Sequence, residues 1–318
     1  MEVLIWACFV LAAGVFLLVG GAELLVHESI VLSRYFGISP IIIGLTVVAL
    51  GTSAPELFVT VMANINGKAD LAIGNIIGSN IANIGLILGV AATINPFFIP
   101  SRILRVELPF LILSVILTGI ASWFGILNRI IAVILLVSFG IYLYVLLGNH
   151  LLYNDLEQDD NFKRTSLTIW QIILKFFLII FSFIALVYGS KLLIKGAVSI
   201  ANFFNCPELI IGLSLTAVGT SLPELASTIS AVRRKQAGLV IGNVLGSNFA
   251  NTCGILGISG LIKPMVIHHH VLTTDFPVMA VMSLVLIPIF RDKFLSRKEG
   301  ICLLFAYFSF ISIIYLKS

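Results

Sequence analysis

Residues 44–89 read GLTVVALGTSAPELFVTVMANINGKADLAIGNIIGSNIANIGLILG, and residues 212–257 read GLSLTAVGTSLPELASTISAVRRKQAGLVIGNVLGSNFANTCGILG. The second block follows the first at a constant offset of 168 without a gap, and 24 of the 46 positions are identical. Shared apolar composition cannot produce this, because the polar and conformationally special residues match. Gly51 pairs with Gly219, Thr52 with Thr220, Ser53 with Ser221, Pro55 with Pro223 and Glu56 with Glu224. Asn75 pairs with Asn243, Ser79 with Ser247, Asn80 with Asn248 and Asn83 with Asn251. The offset also holds beyond the block, at Gly21/Gly189, Glu107/Asp275 and Pro109/Pro277. The chain reads as two homologous halves.

Each half is strongly apolar. The chain has 318 residues, of which 59% are hydrophobic and 11% charged, with mean hydropathy +1.12. Soluble domains carry about 25% charged residues, and a membrane-crossing helix needs about 20 apolar ones. The apolar runs predict ten spans, at 3–26, 40–63, 71–95, 107–124, 128–148, 169–190, 209–231, 239–262, 272–290 and 300–316. This is an all-α integral membrane protein of ten transmembrane helices, five in each half. An odd number of spans per half inverts the second half in the membrane. Inverted-topology repeats are an architecture of secondary transporters, with the binding site near the midplane between the repeats. The halves are predicted at 1–148 and 167–318, joined by a short polar linker at 149–166.

Charge placement predicts orientation. The breaks after spans 1, 3, 5, 7 and 9 hold Arg34; Arg102 and Arg105; Lys163 and Arg164; Arg233, Arg234 and Lys235; and Arg291, Lys293, Arg297 and Lys298, twelve cations in all. The other side holds Lys68, Arg129, Lys263, Lys317 and, if the sixth span ends early, Lys191 and Lys195, six in all. Basic residues mark the cytoplasmic side, so the linker is cytoplasmic and both termini lie outside. Met1-Glu2 runs straight into apolar sequence with no basic n-region, which predicts a retained first helix rather than a cleaved signal peptide. The four cysteines (Cys8, Cys206, Cys253, Cys302) form no CxxC pair and no disulfide framework. Nothing in the composition calls for a nucleic acid.

The repeated polar residues have a shared chemistry. Pro55 lacks an N–H, so the Gly51 carbonyl loses its helical partner, and Pro223 does the same to Gly219. A free carbonyl at membrane depth is tolerated only where protein or a watery cavity serves it. Thr52, Ser53 and Glu56 share one turn, so their oxygens are expected to converge. Ser79 and Asn83 are four residues apart, as are Ser247 and Asn251. The set is carboxylate, hydroxyl, amide and carbonyl oxygen, without thiolate or imidazole. Hard cations such as Na⁺ and Ca²⁺ take such ligands, whereas zinc and copper take softer ones. Glu56 and Glu224 supply a charge of −2, enough to neutralise one divalent ion. Lone hydroxyls and amides in a span usually serve their own backbone or close helix packing. Ionised glutamates are different, because a charge at the midplane costs several kcal/mol unless paired, and the motif spans carry Lys or Arg only near their ends.

At these motifs the sequence resembles the cation/Ca²⁺ exchanger superfamily, of which sodium/calcium exchangers are a branch. G-T-S-x-P-E followed by G-N-x-x-G-S-N corresponds to that family's two alpha repeats, here at 44–89 and 212–257. The likeness covers essentially the whole chain and is closest to compact prokaryotic members, since the linker is too short for a large regulatory insert. The resemblance implies an antiporter, not an enzyme, that lets Na⁺ run down its gradient to expel Ca²⁺ across the inner membrane, working as a monomer with no cofactor beyond its transported ions. It implies that Glu56 and Glu224 are the central carboxylate ligands of Ca²⁺, joined by Thr52 and Thr220 through backbone oxygen. It implies that Ser53, Ser79, Ser221 and Ser247 serve flanking Na⁺ sites with the carbonyls of Ala49 and Ala217, and that Asn83 and Asn251 line the centre. Some relatives carry aspartate where this chain has Asn251, and in potassium-dependent relatives that aspartate is linked to K⁺ use; Asn251 therefore argues against K⁺ dependence. Alternating access would slide spans 1 and 6 against the remaining eight.

Other features take simpler readings. Glu107 and Asp275 read as first-turn acids favoured by the helix dipole. Glu23 and His27 read as side chains snorkelling to the interface. His268-His269-His270 reads as a solvated outer loop, and the acidic run from Asp155 to Asp160 as solvated linker. The rival classes are a proton-coupled cation exchanger of the same fold, a cation channel and an intramembrane hydrolase. A channel has no need of two inverted, proline-broken helices. A hydrolase would need a nucleophile with a base, or a metal-binding His pair, and no His lies near the motifs. No GxxxxGK[ST] phosphate loop is present to support ATP drive.

Overall fold

In the computed structural model, residues 2–148, 167–204, 219–268 and 271–317 are described. The linker at 149–166, residues 205–218 with Ala217, and His269 and His270 lie outside the described residues. The described residues are helical nearly throughout. Helices α1 (Glu2–Phe36), α2 (Pro40–Thr52), α3 (Ala54–Ile65), α4 (Ala69–Ile94), α5 (Glu107–Trp123) and α6 (Arg129–Gly148) form the first half. Helices α7 (Ile169–Phe203), α8 (Leu222–Arg233), α9 (Ala237–Ile262), α10 (Val271–Arg291) and α11 (Arg297–Lys317) form the second. Their starts are encoded locally. Ser39 caps α2 by accepting the Ile41 N–H, with Pro40 in the first turn where its missing N–H is harmless. Thr168 and Gln171 form a capping box for α7.

Among the described residues, seven helices are long and apolar enough to cross a bilayer, and eight if α2 and α3, bent by 44° at their break, count as one. The layers are plain from exposure. The apolar window of α9 is 100% buried, against 22% for α6 and α10. The outer surface carries exposed Trp6, Phe16, Trp123, Tyr144, Trp170 and Phe305. A soluble protein does not expose so many large apolar side chains; this is an integral membrane protein, with α4 and α9 in its protein-lined centre. Ser79, Asn80, Asn83, Asn243, Ser247, Asn248 and Asn251 on those two helices are all buried in protein.

Four two-residue strands tie the ends together and expose the symmetry of the halves. Strand β1 (Phe97–Phe98) pairs antiparallel with β4 (Phe294–Leu295), and β2 (Ile126–Leu127) with β3 (Met265–Val266). At the offset of 168, β3 is the equivalent of β1, and β4 of β2. Because β1 and β2 flank α5, about 25 Å long at 1.5 Å per residue, equivalent segments of the two halves sit at opposite ends of the molecule. Turn geometry repeats as well. Gly67 (φ 77°) matches Lys235 (φ 56°), and Gly125 (φ 67°) matches Lys293 (φ 55°). The second half holds lysine in a left-handed conformation that glycine adopts freely.

The sequence reading ended span 1 at residue 26 and span 6 at residue 190, but α1 runs to Phe36 and α7 to Phe203. Each is 35 residues, or about 52 Å. Charges on and beside α1 are paired. Glu28, almost fully buried, meets Lys175 of α7 at 2.7 Å. Glu23, read as snorkelling, meets Arg234 at 2.6 Å, and His27 lies 3.4 Å from the same guanidinium. The two long helices run antiparallel along a close seam, with Gly14 against Gly189, Gly21 against Ser182 and Ala185, and Gly196 against Leu11.

A second close approach joins the halves at the centre. A methyl group on Gly242 of α9 would stand 2.7 Å from the Ile41 carbonyl oxygen, and one on Gly44 of α2 would stand 2.9 Å from the Leu239 carbonyl oxygen. Gly242→Ala is therefore expected to destabilise the detergent-solubilised protein by about 1–3 kcal/mol through overpacking. Gly140→Ala, with nothing within 4 Å, serves as its control. Thermal unfolding of the two variants checks this; equal melting temperatures would contradict the close approach.

Candidate functional site

Both repeated motifs build the same backbone device. The first broken helix stops at Thr52 and resumes at Ala54, with Ser53 at the hinge (φ −80°, ψ 8°). In the second motif Ser221 takes the same conformation (φ −86°, ψ 6°) immediately before α8. Pro55 and Pro223 sit in the first turns that follow, where their missing N–H is tolerated. Glu56 and Glu224 occupy those same first turns. There the positive end of the helix dipole favours a negative side chain.

Both carboxyl groups are fully enclosed, at 0% and 1% exposure. No cationic side chain pairs with either among the described residues. Their partners are hydroxyls, and these come largely from the other half. Ser53 donates to Glu224 Oε1 at 3.1 Å. Ser221 donates to Glu56 Oε1 at 3.4 Å and lies 3.3 Å from Ser79 Oγ, which itself donates to Glu56 Oε1 at 3.3 Å. Thr220 also stands beside Glu56. Ser247 donates to the Ala49 carbonyl at 3.4 Å.

The expectation that Thr52, Ser53 and Glu56 converge within one turn is corrected here. The hinge at Ser53 turns its hydroxyl across to Glu224, while the Thr52 hydroxyl bonds Val48 O (3.0 Å) and Asn243 Oδ1 (3.3 Å). The convergence runs between halves. Thr52 itself stands beside Glu224, as Thr220 stands beside Glu56. The sequence set of Glu56, Glu224, Ser53, Ser79, Ser221, Ser247, Ala49 and Thr220 is brought together in this way; Ala217 is outside the described residues.

Four oxygens stand out. Glu56 Oε2, Glu224 Oε2, Asn83 Oδ1 and Asn251 Oδ1 are all buried and, among the described residues, have no hydrogen-bond partner. They form two repeat-matched pairs. A buried polar atom left unpaired is costly, and these four recur at matching positions of the two repeats. Two charged and two neutral oxygens suit a hard cation. Asn83 opens the π-helical turn Asn83–Leu88 of α4, and Asn251 lies in the matching turn Ala250–Ile255 of α9. Such local rewinding of a helix re-aims side chains and is frequent at functional sites.

Around this centre lies a supporting layer not assigned a role from sequence. Asn75 Nδ2 donates to Thr60 Oγ1 (3.0 Å) and the Glu56 carbonyl (3.4 Å). Asn243 Nδ2 does the same with Thr228 (3.0 Å) and the Glu224 carbonyl (3.4 Å), adding Ser227 (3.2 Å). The signal was available, since these residues match across the repeat. Lys175–Glu28 had no such signal: at the offset of 168, Glu28 faces Gly196 and Lys175 faces Ala7. Glu107 stands buried in the first turn of α5, Asp275 immediately precedes Phe276 in α10, and exposed His268 pairs with Asp70 at 2.7 Å.

Residues 6–148 and 174–316 match the family model described as sodium/calcium exchanger protein. The inner membrane protein YrbG of Escherichia coli (strain K12) is 36% identical over 290 residues, 88% of this chain and 87% of that protein. The sodium/calcium exchanger MaX1 of Methanosarcina acetivorans is 30% identical over 341 residues, covering 96% of this chain and 97% of its own length. A solved structure of the sodium-calcium exchanger NCX_Mj, soaked with 2.5 mM Na⁺ and 0.1 mM Ca²⁺, superposes with TM-score 0.82 at 31% identity over 97% of this chain and 98% of that one.

The hinge glycine offers a test of the packing that holds the site. A methyl group on Gly51 would lie 1.9 Å from Phe183 Cζ of α7. Gly51→Ala is expected to lower the melting temperature, by about 1–3 kcal/mol of overpacking, and Phe183→Ala in the same chain to recover part of the loss. A Gly51→Ala protein as stable as its parent would contradict the contact.

Proposed function

The chain belongs to the sodium/calcium exchanger protein family, and from that premise we propose that it is a secondary antiporter exchanging Na⁺ for Ca²⁺ by alternating access. The observation that carries this reading is the set of four buried, unpartnered, repeat-matched oxygens on Glu56, Glu224, Asn83 and Asn251. One Ca²⁺ offsets the two carboxylate charges. Na⁺ ions compete for the same charge, helped by the flanking oxygens of Ser53, Ser79, Ser221, Ser247, Ala49 and Ala217. Thr52 and Thr220 contribute backbone oxygen. Emptied, the two enclosed carboxylates would face each other without a counter-ion, so rearrangement is disfavoured until a cation returns. That ties movement to occupancy and makes exchange faster than leak.

The proposed topology is ten spans as two inverted five-helix halves, 1–148 and 167–318, with the linker 149–166 cytoplasmic and both termini outside. The crossed strand pairs β1–β4 and β2–β3 support the inversion. The long pair α1 and α7 is the element proposed to slide against the rest, acting as a monomer. Asn251 supplies a neutral oxygen where potassium-dependent relatives carry charge, so exchange is expected to need no K⁺.

Uptake of ⁴⁵Ca²⁺ into proteoliposomes tests the reading. Outward Na⁺ gradients are expected to drive uptake, external K⁺ to leave it unchanged, and Glu56→Gln or Glu224→Gln to reduce it at least a hundredfold in protein that elutes and melts normally. Near-normal exchange in either variant would refute the site. Uptake driven by a proton gradient alone would reassign the coupling ion.

A further inference from the structure

Asn83 and Asn251 can present either face of their amide, and only the oxygen face ligates a cation. Two other asparagines, Asn80 and Asn248, decide which. Asn248 Nδ2 donates to the backbone carbonyl of Asn80 at 3.4 Å, an atom that can only accept. This fixes Asn248 Oδ1 toward Asn83, whose Nδ2 donates to it at 2.9 Å. Asn83 Oδ1 is thereby left facing away, buried and without a hydrogen-bond partner. The other half reaches the same result by a different route. Asn80 Nδ2 donates to Thr252 Oγ1 at 2.7 Å and lies 3.7 Å from Met279 Sδ, which again only accepts. Asn80 Oδ1 then accepts from Asn251 Nδ2 at 3.3 Å, and Asn251 Oδ1 is the atom left over. The routes differ because Thr252 has Ile84 as its repeat counterpart, so Asn248 finds no matching hydroxyl and uses a backbone carbonyl. All four asparagines are buried, and each of the two locks spans the halves, α4 to α9.

We infer that Asn80 and Asn248 are positioning residues, which hold the amides of Asn251 and Asn83 so that carbonyl oxygen, and not N–H, lines the cation site. The inference rests on the proposed reading of that site. It also gives a reason for the paired asparagines of the G-S-N triplets beyond close helix packing. Neither residue touches the ion; each acts through its partner. Outer partners that orient a metal ligand are worth about 10–100-fold in affinity.

A double-mutant cycle separates positioning from general packing. Ca²⁺ binding is measured by calorimetry on purified, Na⁺-free protein. The parent is expected to bind Ca²⁺ and Glu56→Gln to lose it. Asn248→Leu is expected to weaken binding about tenfold or more. Asn83→Leu, which removes the ligand itself, also weakens it, and the Asn83→Leu/Asn248→Leu double variant is expected to bind within about twofold of Asn83→Leu alone. The Asn251/Asn80 pair runs the same cycle independently, and alanine at these positions serves where a leucine variant is not recovered folded. Unchanged affinity in Asn248→Leu, or a double variant whose loss is the product of the singles, would overturn the inference while leaving the cation site standing. A parent that binds no Ca²⁺, or a Glu56→Gln variant that still does, would overturn the site reading and the inference with it.

Discussion

Two carboxyl groups enclosed at the centre of a membrane protein, with no lysine or arginine paired to them among the described residues, constrain everything around them. The effective penalty for burying an ion is several kcal/mol even after the protein relaxes, and a like charge nearby adds to it. The fold meets this with partial charges only. Each glutamate sits in the first turn of a helix restarted after a hinge serine. Each accepts a hydroxyl bond from the opposite half. Each keeps one oxygen, Oε2, without a hydrogen-bond partner among the described residues. On the proposed reading the missing term is a cation, so the protein is most at ease with its substrate bound.

That constraint explains why the polar apparatus sits on α4 and α9. These helices are wrapped by the others, so asparagines, serines and π-helical turns are sheltered from lipid. The outer helices take the opposite composition and present tryptophan, phenylalanine and isoleucine to the bilayer. Glycine does the joining in both places. It brings α2 onto α9 at Gly44 and Gly242, and α1 onto α7 along a heptad-spaced seam. A seam of small residues is smooth as well as close, which suits two helices proposed to move as one unit.

Much of this was legible in the sequence because the chain says it twice. The internal repeat picked out Glu56, Glu224, the hinge serines and Asn83/Asn251, and the chemistry of those residue types named a hard cation. Three things were not legible. The direction in which Ser53 points follows from a hinge whose φ and ψ no spacing rule supplies. The true length of α1 was hidden because Glu28 follows the apolar run, and its neutralising partner Lys175 lies more than a hundred residues away. The amide locks of Asn80 and Asn248 join the two halves, so each half read alone offers only a conspicuous asparagine. Where a residue acts within its own half, the sequence period was enough; where it acts across the halves, the fold was needed.

The central claim is that Glu56 and Glu224 share one cation. Anomalous diffraction from crystals grown with Ca²⁺, and with Sr²⁺ in its place, measures this directly. A single strong peak is expected between the two motif helices, within about 2.3–2.6 Å of Glu56 Oε2 and Glu224 Oε2 for Ca²⁺, with Asn83 and Asn251 oxygens lining it. A peak bound elsewhere, or one that touches neither carboxylate, would contradict the account.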